Sequence, residues 1–133
     1  MSMFISSSSN TTDSFEVLDP KSEIANTKGP LLVDFFASWC GPCKIMSPII
    51  KEIHEKYGDD LKIIKVDIEK HPDLANEYGI SSIPSLLFFS EGKLIETKVG
   101  AMPKEGLVNW IDSELLADND FDEQLKKDDS KSE

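Results

Sequence analysis

The chain has 133 residues, enough for one compact domain with its own core and too few for two. It carries 14 basic residues, all of them lysine, against 25 acidic ones, for a net charge of −11. That balance, without a single arginine, argues against nucleic acid or an anionic membrane as partner, and no apolar run nears the roughly 18 residues of a membrane span.

Composition divides the sequence into three parts. Residues 1–13 are rich in Ser, Thr and Asn and read as a flexible tail. They have neither the basic start and long apolar stretch of a secretory signal nor an Arg-rich transit pattern, so the expected compartment is the reducing cytoplasm. Residues 14–117 have the patterning of a folded domain. Residues 118–133 hold seven carboxylates and three lysines around Phe121 and Leu125, and are expected to be an acidic, disordered tail with helix only near its start. Asp118, Asp120 and Asp122 suggest the start of a calcium loop. Glu123 stands where that loop needs Gly, and Asp129 where it needs Glu, so a solvated tail is the better reading.

Within the domain, strands and helices alternate. Phe15–Leu18 reads as a short strand, and Asp19-Pro20 as the cap and first residue of a helix that Gly29-Pro30 ends. Leu31–Ala37 is nearly all apolar, as for a central strand covered on both faces. A helical pattern then runs to Tyr57, with Ile45, Ile49, Ile53 and Tyr57 as the expected buried stripe and Pro48 as an expected kink. Leu61–Ile68 reads as a strand and Pro72–Tyr78 as a helix. Ser85–Phe89 and Lys93–Val99 flank Glu91-Gly92, a hairpin signal. Pro103–Leu116 is an amphipathic helix burying Leu107, Trp110, Ile111 and Leu115. The pattern predicts an α/β fold with a mixed sheet and helices on both faces.

The two cysteines, Cys40 and Cys43, lie three residues apart between the central strand and the following helix. The first sulfur is thereby placed near the free N–H groups and positive dipole end of that helix, which favour thiolate, the nucleophilic form. Cys40 is the expected attacking sulfur. Cys43, a turn further in and expected to be more buried, resolves the mixed disulfide. Gly41 and Pro42 keep the turn tight. Zinc would need about four ligands, and the only histidines, His54 and His71, are too far apart in sequence to complete a recognisable set. A purely structural disulfide is also a weak reading, since closing so short a loop stabilises by only about 2 kcal/mol.

The segment from Val33 through Trp39, Cys40, Gly41, Pro42, Cys43 and Lys44 resembles the active-site segment of the thioredoxin family. The similarity continues through Lys65-Val66-Asp67, Gly79-Ile80, Ile83-Pro84-Ser85, Gly92 and Val99-Gly100-Ala101. The resemblance implies a thioredoxin fold, with a central mixed five-stranded sheet and about four helices. It implies that Asp34 accepts the proton of Cys43 and that Lys65 tunes Asp34. Pro84 matches the family's cis-proline, which with Gly41 and Pro42 tunes the redox pair. Trp39, Ile83, Val99, Gly100 and Ala101 would form an apolar patch for substrate. Phe36 departs from the family's frequent Trp, and Pro103 from a side-chain cap.

The activity so implied is a general, monomeric protein-disulfide reductase that cycles between dithiol and disulfide and delivers electrons to target proteins. A thioredoxin reductase using FAD and NADPH would re-reduce it, and the chain itself would bind no cofactor and no metal. Two alternatives remain. An oxidase or isomerase of secreted proteins would require export and often has His between the cysteines. A binding or chaperone-like module would leave the thiols incidental.

Overall fold

The computed structural model describes the backbone of residues 15–131 and the side chains of residues 15–118. The Ser-rich segment 1–13 lies outside the described residues. Contact patterns divide the chain into two units, Met1–Ala101 and Met102–Glu133.

The first unit is built on a four-stranded sheet. Its strands are β1 (Pro30–Phe36), β2 (Lys62–Asp67), β3 (Ser85–Ser90) and β4 (Lys93–Val99), in the spatial order β2-β1-β3-β4. β1 runs parallel to β2, opposing Asp34 to Lys65, and antiparallel to β3, opposing Asp34 to Leu86. β3 and β4 form the expected hairpin around Glu91-Gly92. Both turn residues have positive φ, 52° and 78°, which matches the right-handed twist of the flanking strands and explains the glycine. Glu91 tolerates this backbone while its Oε2 accepts the Gly29 N–H at 3.0 Å.

Among the described residues this unit has three α-helices: α1 (Pro20–Asn26), α2 (Gly41–Tyr57) and α3 (Pro72–Glu77). Asp19 caps α1 as expected, its Oδ1 accepting the Ser22 N–H at 3.2 Å. Ile24 of α1 and Leu74 and Ala75 of α3 pack with Leu31, Val33 and Phe35 of β1 on one face of the sheet. Side chains alternate along a strand, so Leu32, Asp34 and Phe36 face the other side. α2 covers that side, because Ser47 on the helix meets Lys65, the neighbour of Asp34 across the sheet. Helices on both faces and a mixed sheet bear out the expected α/β architecture.

Several expectations need correction. The fifth strand, at Phe15–Leu18, shrinks to a single parallel bridge between Glu16 and Lys65, with the Lys65 N–H donating to the Phe15 carbonyl at 3.0 Å. Leu18 is 98% exposed and Asp19 already caps a helix, so pairing stops there. On α2 the buried residues are Cys43, Met46, Ile50 and Ile53. Ile45, placed in the expected stripe, is 64% exposed. Both candidate stripes are apolar in sequence; the inward placement of Cys43 selects the one that continues through Met46 and Ile50. The run of the helix through Pro48 to Tyr57, by contrast, is as the sequence pattern predicts.

The second unit contains α4, Lys104–Lys131. The Pro103 carbonyl accepts the Leu107 N–H at 3.0 Å, so Pro103 itself occupies the cap position, without a side-chain acceptor. Leu107, Trp110 and Ile111 are buried, as the apolar stripe predicts, while Leu115, expected with them, is only half-buried. The backbone helix continues well past Leu116, into the segment read as disordered. No Gly or Pro follows Gly106, and the Leu, Glu, Gln and Lys residues there are good helix formers, so nothing local stops it.

The two stripes of α2 can be separated by truncation. Ile50→Ala is expected to cost about 2–5 kcal/mol in urea unfolding. Ile45→Ala should stay within about 0.5 kcal/mol of the parent.

Candidate active site

The site begins where β1 ends. Cys40 has extended backbone (φ −85°, ψ 114°) and occupies the N-cap of α2, with Gly41 and Pro42 as the first two helical residues. Proline is suited to that position because the N–H it lacks would have no partner inside the helix. The Cys40 Sγ accepts the Cys43 N–H at 3.2 Å, as a Ser or Asp oxygen does at an ordinary cap. The Lys44 N–H donates to the Cys40 carbonyl at 3.2 Å and closes the first turn. Cys40 and Cys43 are joined as a disulfide, with their Cα atoms 5.2 Å apart.

Burial does not distinguish the two cysteines: Cys40 is 4% and Cys43 3% exposed. The expectation that Cys43 is clearly deeper therefore does not hold for whole residues. The difference lies in position, since Cys40 is the sulfur that meets the helix N–H. Ala37, Phe36, Ile68 and Ile83 pack around the pair.

Asp34 is 1% exposed, and neither carboxylate oxygen has a hydrogen-bond partner among the described residues. Burial pushes its carboxyl up from 3.8 to about 7, while the positive charge of Lys65 acts in the opposite direction. Lys65 lies opposite Asp34 in strand register and is half-buried. Its ammonium donates to Ser47 Oγ at 3.0 Å and sits 4.5 Å from the centre of the Phe36 ring. Lys65 is thus the strand neighbour of Asp34, while its side chain rests on Ser47 and Phe36.

Pro84 follows a cis peptide bond, as the sequence comparison implied. The Ile83 carbonyl oxygen lies 3.9 Å from Cys40 Sγ. The Gly100 N–H donates to the Pro84 carbonyl at 2.8 Å, which ties the segment after β4 to this loop. Gly100 has φ +100°, a conformation that favours glycine. Trp39, Gly41, Pro42, Val99 and Ala101 are exposed, and Ile83 and Gly100 half-buried. Thus Cys40, Cys43 and Ile83 meet directly, and Val99 and Gly100 are brought alongside through Pro84 and Ser85.

Sequence reasoning missed Glu69. Its Oε2 accepts the indole N–H of Trp39 at 2.8 Å, and its own N–H donates to Asp67 Oδ1 at 2.9 Å. The contact joins residues 30 apart, and one acidic residue among 25 carries no local signal of it. Among the described residues, no three His, Cys, Asp or Glu side chains come together to hold a metal, and no helix is long and apolar enough to cross a membrane.

A reversible bond between two sulfurs, one at a helix N-terminus, supports electron exchange with other thiols and disulfides. The fold and the pair therefore define a thiol–disulfide oxidoreductase, acting on protein disulfides, with its redox-active centre at Cys40–Cys43. The chain belongs to the thioredoxin family, whose model matches residues 10–113. It is 44% identical to thioredoxin 1 of Synechococcus elongatus over 95 residues, covering 71% of this chain and 89% of that protein. Identity to the thioredoxin of Acidithiobacillus ferridurans is 45% over 103 residues, covering 77% and 91%. To that of Bacillus subtilis it is 43% over 89 residues, covering 67% and 86%. A solved chain from a structure describing thiol resolution in yeast mitochondrial 1-Cys peroxiredoxin via glutathione/thioredoxin systems superposes with a TM-score of 0.65 at 28% identity. The match covers 74% of this chain and 91% of that one.

The buried carboxyl makes stability depend on pH. Asp34 binds its proton more tightly in the folded chain than in the unfolded one, where the ordinary value of 3.8 applies. Its contribution is therefore most favourable below that value and is lost as pH rises toward about 7. Asp34→Asn, which stands in for the protonated acid, is expected to unfold at higher urea than the parent at about pH 9. The gain should be about 4 kcal/mol, the free-energy equivalent of the rise in proton affinity, and it should nearly vanish at about pH 4.

Proposed function

We propose that this protein is a general disulfide reductase that passes electrons from a Cys40–Cys43 dithiol to target proteins. The observation that carries this reading is the hydrogen bond from the Cys43 N–H to Cys40 Sγ at the start of α2. In the reduced protein the same N–H and the helix dipole favour thiolate at Cys40.

The Cys40 thiolate attacks one sulfur of a target disulfide. A new S–S bond forms, the target bond breaks, and the departing sulfur takes up a proton. Cys43 then gives its proton to the Asp34 carboxylate and attacks the Cys40 sulfur. The mixed disulfide breaks, the second target sulfur leaves as thiolate and takes up a proton, and two electrons have moved from the dithiol to the target. A carboxyl that titrates at about 7 can accept and return a proton near neutrality, and the charge of Lys65 adjusts where it does so.

Gly41, Pro42 and Pro84 shape the ring and the face it presents, and so tune the redox pair. Trp39, Ile83, Val99, Gly100 and Ala101 supply an apolar platform beside Cys40 for an extended segment of substrate. The working domain is residues 14–117, with the two terminal segments as appendages outside the redox cycle. The protein acts as a monomer in the cytoplasm as an electron carrier. A thioredoxin reductase using FAD and NADPH returns it to the dithiol, and the chain's own redox group is its cysteine pair.

Insulin reduction by dithiothreitol tests the reading. Cys40→Ser and Cys43→Ser are each expected to lower the rate to that of dithiothreitol alone. Cys43→Ser should also accumulate mixed disulfides through Cys40, visible on non-reducing gels. Alkylation of reduced Cys40 should inflect below about 8.5, the ordinary thiol value. Variants that match the parent would leave only a binding module, and equilibration with glutathione at a more oxidising potential would reject the reducing direction.

A further inference from the structure

Lys65 and Asp34 occupy opposing positions on adjacent parallel strands, yet no salt bridge within 4.0 Å joins them. The ammonium is instead held at two points, Ser47 Oγ at 3.0 Å and the Phe36 ring at 4.5 Å. Phe36 lies two residues beyond Asp34 on the same face of β1, and Ser47 lies one helical turn beyond Cys43 on α2. The two points therefore bracket the ammonium between the strand that carries Asp34 and the helix that carries Cys43. A lysine has four rotatable carbons and a strongly hydrated head, and at the edge of a sheet it extends into water unless something holds it.

We propose that Ser47 is a positioning residue, whose hydroxyl holds the Lys65 ammonium over the Asp34–Phe36 face and thereby sets how strongly Lys65 acts on Asp34. The inference rests on the proposed role of Asp34 as proton acceptor and extends it to a residue on the neighbouring helix. Lys65 is the charged group whose field acts on the buried carboxyl. The opposing residue on β3 is Leu86, and α2 contributes Cys43, Met46 and Ile50 as buried residues, none of them charged in the disulfide form. On its other side the Lys65 backbone pairs with the Phe15–Glu16 segment, and the Glu16 carboxylate pairs with Lys70 at 3.2 Å. Without the Ser47 hydroxyl, the ammonium moves toward water and its support of the ionised carboxylate weakens.

The test follows the Asp34 side-chain carboxyl by carbon NMR across pH in the oxidised full-length protein. Ser47→Ala is expected to raise its midpoint by about half a unit, part of the one to three units a close opposite charge supplies. Ser47→Thr, which keeps the hydroxyl, should restore the parent value. Lys65→Met should raise the midpoint further, and adding Ser47→Ala to it should then change nothing. An unchanged or lowered midpoint in Ser47→Ala would overturn the proposal. So would an effect of Ser47→Ala that persists in Lys65→Met, because Ser47 would then act by another route. The rate of mixed-disulfide resolution against pH separates this proposal from the reading beneath it. If the Asp34 midpoint moves and the rate profile does not, Ser47 does position Lys65 while Asp34 is not the proton acceptor.

Discussion

The structure depends on one junction, where a buried strand ends and a helix begins on a sulfur. β1 is covered on both faces and paired on both edges, so its last residues have little freedom. Cys40 follows directly and takes the cap position of α2, where its sulfur meets an N–H that would otherwise lack a partner. A helix cap is ordinarily a matter of stability. Here the capping atom is also one sulfur of the redox pair, so the interaction that starts the helix also holds one end of the disulfide.

The strand that leads to this junction also carries a cost. Asp34 lies in the interior of β1 without a hydrogen-bond partner among the described residues, and burial raises its proton affinity. An apolar residue there would pack without that penalty. The proposed cycle uses that carboxyl, near neutrality, to take the proton of Cys43. Stability given up at a working site is a common trade in enzymes. Lys65 moderates the penalty from across the sheet, and Ser47 and Phe36 hold it.

Around the sulfur pair, three distant segments converge through backbone contacts. The Ile83 carbonyl faces Cys40, the Gly100 N–H binds the Pro84 carbonyl, and Ser85 opposes both Phe35 and Val99 in register. The resulting surface owes its shape to main-chain atoms and small apolar groups. In the proposed reading this is the platform that receives an extended segment of substrate. Glu69 adds a polar anchor for Trp39, accepting its indole N–H.

Much of this was legible in the residues themselves. The apolar run of β1, the Asp19-Pro20 start of α1, the Glu91-Gly92 turn and the Cys-Gly-Pro-Cys step are local signals, and each acts over a few bonds. They were enough to order the elements and locate the redox pair. The buried face of α2 was not legible, because Ile45 and Met46 are both apolar and only packing chooses between them. The fifth strand fell short because a run of three apolar residues cannot show how many will find partners. The contacts of Glu69 with Trp39 and of Ser47 with Lys65 were also hidden. Each joins residues far apart in the chain, and a polar side chain's partner is set by where the backbone carries it. The sequence by itself determined which atoms could do chemistry and which segments could be helix or strand. Tertiary structure alone decided which side of each element faced inward and which charges met, because those depend on distances that only the assembled sheet and helices define.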